Sequence, residues 1–128
     1  VTMWTNPIAA KPGFYEFRDK TRIVRPVGED IMINNGHNTY LPGTDNAWIL
    51  NDTYPQGPAR LQVPYLYHEK TNRRIELGRF HEPAEYTGEW RCDTHPRASN
   101  DGSMICIDST HGGNGRQMYL IDISSMNF

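Results

Sequence analysis

The pattern of apolar and polar positions along the chain predicts short β-strands joined by tight turns. Apolar and aromatic runs at 48–50, 65–67, 104–107 and 118–121 are bounded by Asn, Asp, Gly and Pro. Such short runs between turn-forming residues are typical of strands and hairpins. Gly (11 residues) and Pro (9 residues) are frequent in this 128-residue chain, which favours turns over long helices. The sequence therefore predicts an all-β fold.

These strands recur in two similar units. His37 begins the first unit and His95 begins the second, and each is followed by a turn rich in Pro, Asn, Asp and Gly. An apolar strand then ends at Asp52 in the first unit and at Asp108 in the second. A polar loop and a second apolar-aromatic strand follow in both. A partial third copy stands at the front, where 14–21 resembles 65–71 in having an aromatic strand and a charged turn ending in Lys-Thr.

Each full unit holds four short strands, which is typical of a β-propeller blade. The chain is predicted to be a single partial β-propeller domain, with residues 1–36 as the outer half of one blade, 37–80 as a full blade and 81–128 as a linker and final blade. About two and a half blades make an incomplete ring, since propellers need about four to eight. A compact β-sandwich that happens to repeat is the alternative.

Charge and hydrophobicity argue against two kinds of partner, nucleic acids and membranes. The net charge is −2 and no basic run is present, which argues against a nucleic-acid binder. No apolar stretch approaches the ~20 residues of a membrane span. An incomplete propeller exposes sheet edges, which favour association. We therefore expect these edges to be covered by the remaining propeller blades, by a partner chain or by self-association.

Two cysteines exclude a disulfide framework of the small secreted kind. Cys106 lies in an apolar run and is predicted to be a small buried hydrophobic residue. Cys92 lies among polar residues. The sequence does not decide whether Cys92 and Cys106 form a disulfide.

The equivalent histidines are the best metal-ligand candidates. In a propeller the first strand of each blade is innermost, so His37 and His95 can face a central channel from adjacent blades. Asp93 lies two residues before His95, and positions two apart share one face of an extended segment. Imidazole and carboxylate together suit a divalent metal. The alternative is a structural brace of His–Asp pairs, and an Asx turn is the simpler reading of Asp52 and Asp108.

Other residues suit an acidic sugar. Arg91 and Arg97 can pair with a carboxylate through two hydrogen bonds, and aromatic rings such as Tyr54 and Trp90 can stack on sugar rings. His111, in a Gly-rich loop, is a further candidate at the mouth of the channel. That loop has no following helix and no Gly-Lys-Ser/Thr, so it is predicted to be a hairpin connection and not a phosphate-binding loop.

The two units resemble a known family. Gly36-His37, the segments 48–55, 91–97 and 100–102, and Asp108-Ser109 are similar to the C-terminal blades of TolB-like (WD40-like) propellers. They resemble more closely the oligogalacturonate-lyase-like group and the related ulvan lyases. The resemblance extends over nearly the whole chain.

The resemblance implies a seven-bladed propeller whose central channel holds a divalent metal, bound largely by histidines. In that family the metal neutralises a uronate carboxylate and acidifies the C5 proton, a His or Tyr base removes that proton, and β-elimination cleaves the glycosidic bond. His37 and His95 would be ligands, and Asp93 would replace a further family histidine. That replacement suits zinc as well as manganese, with calcium as a third candidate.

The family's base comes from a blade upstream of His37, and residues 1–36 contain no histidine. We therefore expect this chain to bind metal better than it cleaves a polysaccharide, and its catalytic residues stay unassigned. The resemblance implies a periplasmic or secreted location. Two alternatives are a non-catalytic TolB-like propeller that binds a protein or glycan, and a metal that only joins two blades.

Overall fold

The computed structural model describes residues 1–7 and 11–128, and this part of the chain is all-β. Its strands are β1 (Thr2–Thr5), β2 (Gly13–Phe17), β3 (Val24–Val27), β4 (Thr39–Tyr40), β5 (Trp48–Asn51), β6 (Leu61–Gln62), β7 (Tyr65–His68), β8 (Arg73–Glu76), β9 (Phe80–His81), β10 (Arg97–Ala98), β11 (Met104–Ser109) and β12 (Gln117–Asp122). Two 3₁₀ turns, Glu69–Thr71 and Gly88–Trp90, are the helical elements of the described residues.

The strands form four open antiparallel sheets. The first sheet has the order β1-β2-β3, the middle sheet β4-β5-β7-β8 and the last sheet β10-β11-β12, while β6 pairs with β9 in a two-stranded ribbon. Neighbouring strands in each of the three larger sheets are neighbours in sequence, except that β6 leaves the middle sheet to pair elsewhere. Each sheet is therefore built mostly from local hairpins.

The sheets pack face to face, with the middle sheet between the other two. Alternate residues of β5 point to opposite faces: Trp48 and Leu50 pack towards the last sheet, and Ile49 packs towards the first. The cluster facing the last sheet contains Leu41, Trp48, Leu50, Leu66, Ile105, Ile107 and Ile123. The cluster facing the first sheet contains Phe14, Val27, Met32, Ile49, Tyr65 and Tyr67. All four residues of β5 are consequently buried.

An ion-pair network adds a polar contact between the first and middle sheets. Arg25 on β3 pairs with Glu16 on β2 and with Glu69 after β7. The side chains are partly exposed, so this network contributes less than the apolar clusters. Burial of the two apolar faces of the middle sheet is the main force that orders the sheets.

Several predictions made from the pattern are confirmed. The aromatic strand of the front copy is β2, which pairs with β3 across the charged turn, and the Gly-rich segment connects β11 to β12. His37 and His95 each lie two residues before the first strand of a sheet, β4 and β10 respectively. The all-β class is confirmed as well, in sheets of two to four strands.

Other details differ from the predictions. The front segment contains an additional strand, β1, so it forms three strands and not two. The polar loop after Asp52 contains β6, which pairs with β9 at the start of the linker. Cys106 is only partly buried, so its predicted burial is wrong, whereas Cys92 is buried, and both are free thiols. The disulfide is therefore absent from the described residues.

No helix in the described part of the chain is long and apolar enough to cross a membrane.

The close approach of Gly36 to the end of β5 yields a test of the fold. A Cβ at Gly36 would lie 2.0 Å from the Asp52 carbonyl oxygen, which is backbone and cannot move aside cheaply. We expect Gly36→Ala to lower the free energy of unfolding by about 3 kcal/mol or more, measured by urea unfolding. In the control, Gly13→Ala, the nearest atom would be 3.6 Å away. Equal stability of the two variants would contradict this packing.

Candidate functional site

The two histidines and the aspartate singled out in the sequence lie together in the structure. One ligand atom from each of His37, Asp93 and His95 lies within 4.8 Å of the other two. The His37 and His95 rings are in contact, with centroids 4.0 Å apart and planes tilted by 44°. This cluster, called the His-Asp-His cluster below, joins the start of the middle sheet to the start of the last sheet.

A buried carboxylate fixes the orientation of His37. Asp52 is fully buried, and its carboxylate oxygens lie 3.1 and 3.2 Å from His37 Nδ1. The backbone N–H of His37 also donates to Asp52, at 2.6 Å. With Nδ1–H donating to Asp52, the lone pair of Nε2 is directed away from Asp52 and towards the Tyr54 hydroxyl, 3.5 Å away, which a ligand would displace. The hydrogen bond with Asp52 raises the pKa of His37 above its ordinary value, and partial burial of the ring opposes this.

Asp52 also connects the two units. Thr94 lies between Asp93 and His95 in the sequence. Its hydroxyl donates to the second Asp52 oxygen at 2.5 Å. One carboxylate thus positions a ligand candidate from the first unit and the segment that carries the other two. The Asx turn predicted for Asp52 is wrong, because its hydrogen-bond partners lie far away in sequence. Asp108, the equivalent residue, pairs with Arg97 and not with a local turn.

His95 has an unusual backbone conformation. Its φ of 38° lies in the left-handed region, which costs a residue with a Cβ about 1–2 kcal/mol. The residue before a proline is further restricted, and Pro96 follows. His95 Nδ1 lies 3.3 Å from the Asp93 carbonyl oxygen, so the turn brings the ring back over Asp93. Strain of this kind is common where a side chain is held for function.

A second buried carboxylate holds the linker against the middle sheet. Glu82 is fully buried and accepts from the Cys92 backbone N–H at 2.6 Å and from Arg60 Nη2 at 2.8 Å. Arg60 also donates to the carbonyl oxygen of Tyr86 at 2.7 Å. Gln62 on β6 donates to the Cys92 carbonyl oxygen at 3.1 Å. These bonds place the segment 91–95 at the His-Asp-His cluster.

Cys92 is not part of the cluster. Burial raises the pKa of its thiol, and its sulfur is not among the ligand atoms that lie within 4.8 Å of one another. The donor set is therefore two imidazoles and one carboxylate.

A cleft of about 320 Å³ opens beside the cluster. Two guanidinium groups, from Arg91 and Arg116, contribute positive charge to it. Its lining residues are Arg91, Cys92, Asp93, His95, Asp108, Arg116, Gln117 and Met118.

Two of the residues expected to bind an acidic sugar lie at the cluster. Tyr54 packs edge-on against His37, with ring centroids 5.3 Å apart. The Arg91 guanidinium lies over the Tyr54 ring at 4.5 Å and holds Asp93 through two hydrogen bonds, of 2.5 and 2.9 Å. Both side chains are thus positioned by the cluster residues.

The other three are engaged differently. Arg97 holds Asp108 through two hydrogen bonds, of 2.9 and 3.2 Å, and it is not among the residues that line the cleft. Trp90 is 73% exposed, and its carbonyl oxygen accepts from Arg116 at 2.5 Å. The structure does not bring His111 into the cluster. Its ring lies against two other rings, with centroids 4.9 Å from Phe80 and 4.3 Å from Tyr119.

Sequence reasoning missed the residues that support the cluster. Thr94 gave no signal beyond its position between two ligand candidates. Glu82 and Arg60 are separated by 22 residues, and no local pattern pairs them. Arg116, at the end of the Gly-rich loop, could have been noted as a basic residue near the second unit.

Comparison of the chain with protein-family models, with curated proteins and with solved structures gave no match.

The backbone at position 95 can be tested with two variants that both remove the imidazole. His95→Gly relieves the left-handed strain and His95→Ala keeps it. We expect His95→Gly to have the higher free energy of unfolding, by about 1 kcal/mol, in urea unfolding experiments without added metal. Greater stability of His95→Ala would contradict the strained conformation.

Proposed function

We propose that the chain carries a divalent-metal site that binds acidic oligosaccharides, and that it forms part of a propeller-type polysaccharide lyase. The observation that carries the proposal is the convergence of His37, Asp93 and His95, with His37 fixed by buried Asp52. A metal-ligating histidine nearly always donates its other ring N–H to a carboxylate, a backbone carbonyl or water, and Asp52 is such a carboxylate.

The donor set fits a divalent metal with open coordination positions. Two imidazole nitrogens and one carboxylate oxygen suit zinc or manganese better than calcium, which prefers oxygen ligands. Three protein ligands are typical of catalytic zinc sites, in which a further position is taken by water or substrate. A metal bound here would neutralise a uronate carboxylate and so acidify the C5 proton.

The residues of this chain would supply binding and orientation. Arg91 and Arg116 line the cleft, and a guanidinium pairs with a carboxylate in a fixed geometry. Tyr54 packs against His37 and presents an aromatic ring beside the cluster. No base for C5 is assigned to this chain, so cleavage is proposed for the complete propeller and metal and ligand binding for the chain itself.

The propeller is likewise a proposal. It is supported by the four-stranded antiparallel middle sheet and by the packing of three sheets face to face. The equivalent positions of His37 before β4 and His95 before β10 also support it. In a closed ring these positions would face the central channel.

A structural metal is the second candidate function. Hydrogen bonds of Asp52 already join His37 to Thr94, so a metal at this cluster would fasten the middle sheet to the last sheet. In that case chelation lowers the melting temperature and acidic sugars do not affect metal binding. The non-catalytic propeller that binds a protein or glycan predicts no metal.

The first test is metal content. Elemental analysis of the purified, untagged chain should give about one zinc or manganese per chain, because three ligand atoms lie within 4.8 Å of one another. The His37→Ala/His95→Ala variant should lose it. The matched control His68→Ala/His81→Ala removes two histidines outside the cluster and should keep it. Absence of metal from the wild-type chain, both as purified and after incubation with each ion, would sink the proposal.

The role of Asp52 gives a second test. Asp52→Asn keeps the shape but has only one acceptor oxygen, so it cannot accept from both His37 and Thr94 as the carboxylate does. We expect metal affinity to fall about 10- to 100-fold, measured by competition with a chelating dye. Asp108→Asn is the matched control, since Asp108 pairs with Arg97 and not with a cluster histidine. Equal losses in the two variants would argue against this role.

A further inference from the structure

Two cations can bind the Asp93 carboxylate: the Arg91 guanidinium and the proposed divalent metal. Arg91 Nε lies 2.5 Å from one carboxylate oxygen and Nη2 lies 2.9 Å from the other, so the guanidinium engages both oxygens. Each of these oxygens keeps a second lone pair, so a divalent cation can bind Asp93 beside Arg91. Two positive charges then share one carboxylate, and each weakens the binding of the other. The metal and Arg91 therefore compete for the same carboxylate.

The surroundings of Arg91 allow it to move. Its side chain is 39% exposed, whereas that of Asp93 is 12% exposed. The guanidinium lies over the Tyr54 ring, a face that accepts a cation without a fixed hydrogen-bond geometry. Arg91 also lines the cleft, where an acidic ligand would lie. It can thus exchange the Asp93 carboxylate for a carboxylate of the ligand.

We propose that Arg91 is a built-in competing cation, which holds Asp93 until an acidic ligand draws its guanidinium away. This inference rests on the proposed metal and sugar site and adds the rule by which its two ligands bind. An acidic ligand that pairs with Arg91 frees Asp93 for the metal, and a metal on Asp93 frees Arg91 for the ligand. Because coupling is reciprocal, each ligand strengthens the binding of the other to the same extent.

The competition also predicts selectivity for acidic over neutral sugars. A neutral sugar of the same shape offers no carboxylate to Arg91 and leaves the Arg91–Asp93 pair intact. Such a sugar should not strengthen metal binding. The site would therefore hold its metal most firmly when an acidic sugar is present.

The test measures Mn²⁺ affinity from free Mn²⁺ in electron paramagnetic resonance spectra. Arg91→Gln removes the competitor, so we expect Mn²⁺ to bind about 5- to 150-fold more tightly than to the wild-type chain. Arg116→Gln removes the same charge from the same cleft without touching Asp93, and should change the affinity far less. Arg91→Lys keeps the charge but loses the paired geometry, and should fall between wild type and Arg91→Gln.

A second series adds sugar. Saturating galacturonate should tighten Mn²⁺ binding to the wild-type chain, and galactose, which lacks the carboxylate, should not. In Arg91→Gln the effect of galacturonate should be smaller, because only direct coordination remains. The His37→Ala/His95→Ala variant corrects for Mn²⁺ bound by free galacturonate.

The outcomes separate this inference from the proposed function. If Arg91→Gln and Arg116→Gln tighten Mn²⁺ binding equally, general charge repulsion accounts for the effect and the competition is refuted. Unchanged affinity in Arg91→Gln, or an undiminished galacturonate effect, refutes it as well while the metal site stands. If neither the wild-type chain nor Arg91→Gln binds Mn²⁺ or Zn²⁺, both proposals fail. Thermal unfolding of each variant shows whether the fold is retained.

Discussion

The buried carboxylate of Asp52 is the interaction on which the candidate site depends. It lies directly after β5, a strand buried along its whole length, and it receives hydrogen bonds from His37 and from Thr94. A carboxylate without partners would be costly at this depth, so the two segments must come together for it to be tolerated. Gly36 is also required, for a steric reason: any Cβ there would meet the backbone of Asp52.

The surrounding network extends this constraint to the linker. Glu82, also fully buried, binds Arg60 and the backbone of Cys92, which fixes the direction in which the chain approaches Asp93. Buried polar groups of this kind specify one arrangement, because each alternative would leave a charge unpaired. Asp52 and Glu82 act at the two ends of one short segment, and His95 adopts a strained backbone between them and β10. The cluster is thus held by its supports before any ligand is considered.

The chemistry of the cluster follows from which contacts are already made. Asp52 is committed to His37 and Thr94, and Asp108 is committed to Arg97. Asp93 is the carboxylate that faces both the cluster and the cleft, and Arg91 contacts it from the more exposed side. This placement makes Asp93 the point at which a metal, the guanidinium and an acidic ligand affect one another.

The sequence by itself determined the strand pattern, because alternating apolar runs and turn residues are local signals. It also determined the equivalence of His37 and His95, because a repeat places equivalent residues at equivalent positions, and it indicated Asp93 from a spacing of two. Tertiary structure decided the rest. The roles of Asp52, Thr94 and Glu82 come from partners distant in sequence, and β6 pairs with β9 across a loop that looks polar and irregular. Whether Arg91 or Arg97 faces the cleft likewise depended on which carboxylate lay within reach, and no local pattern encodes that distance.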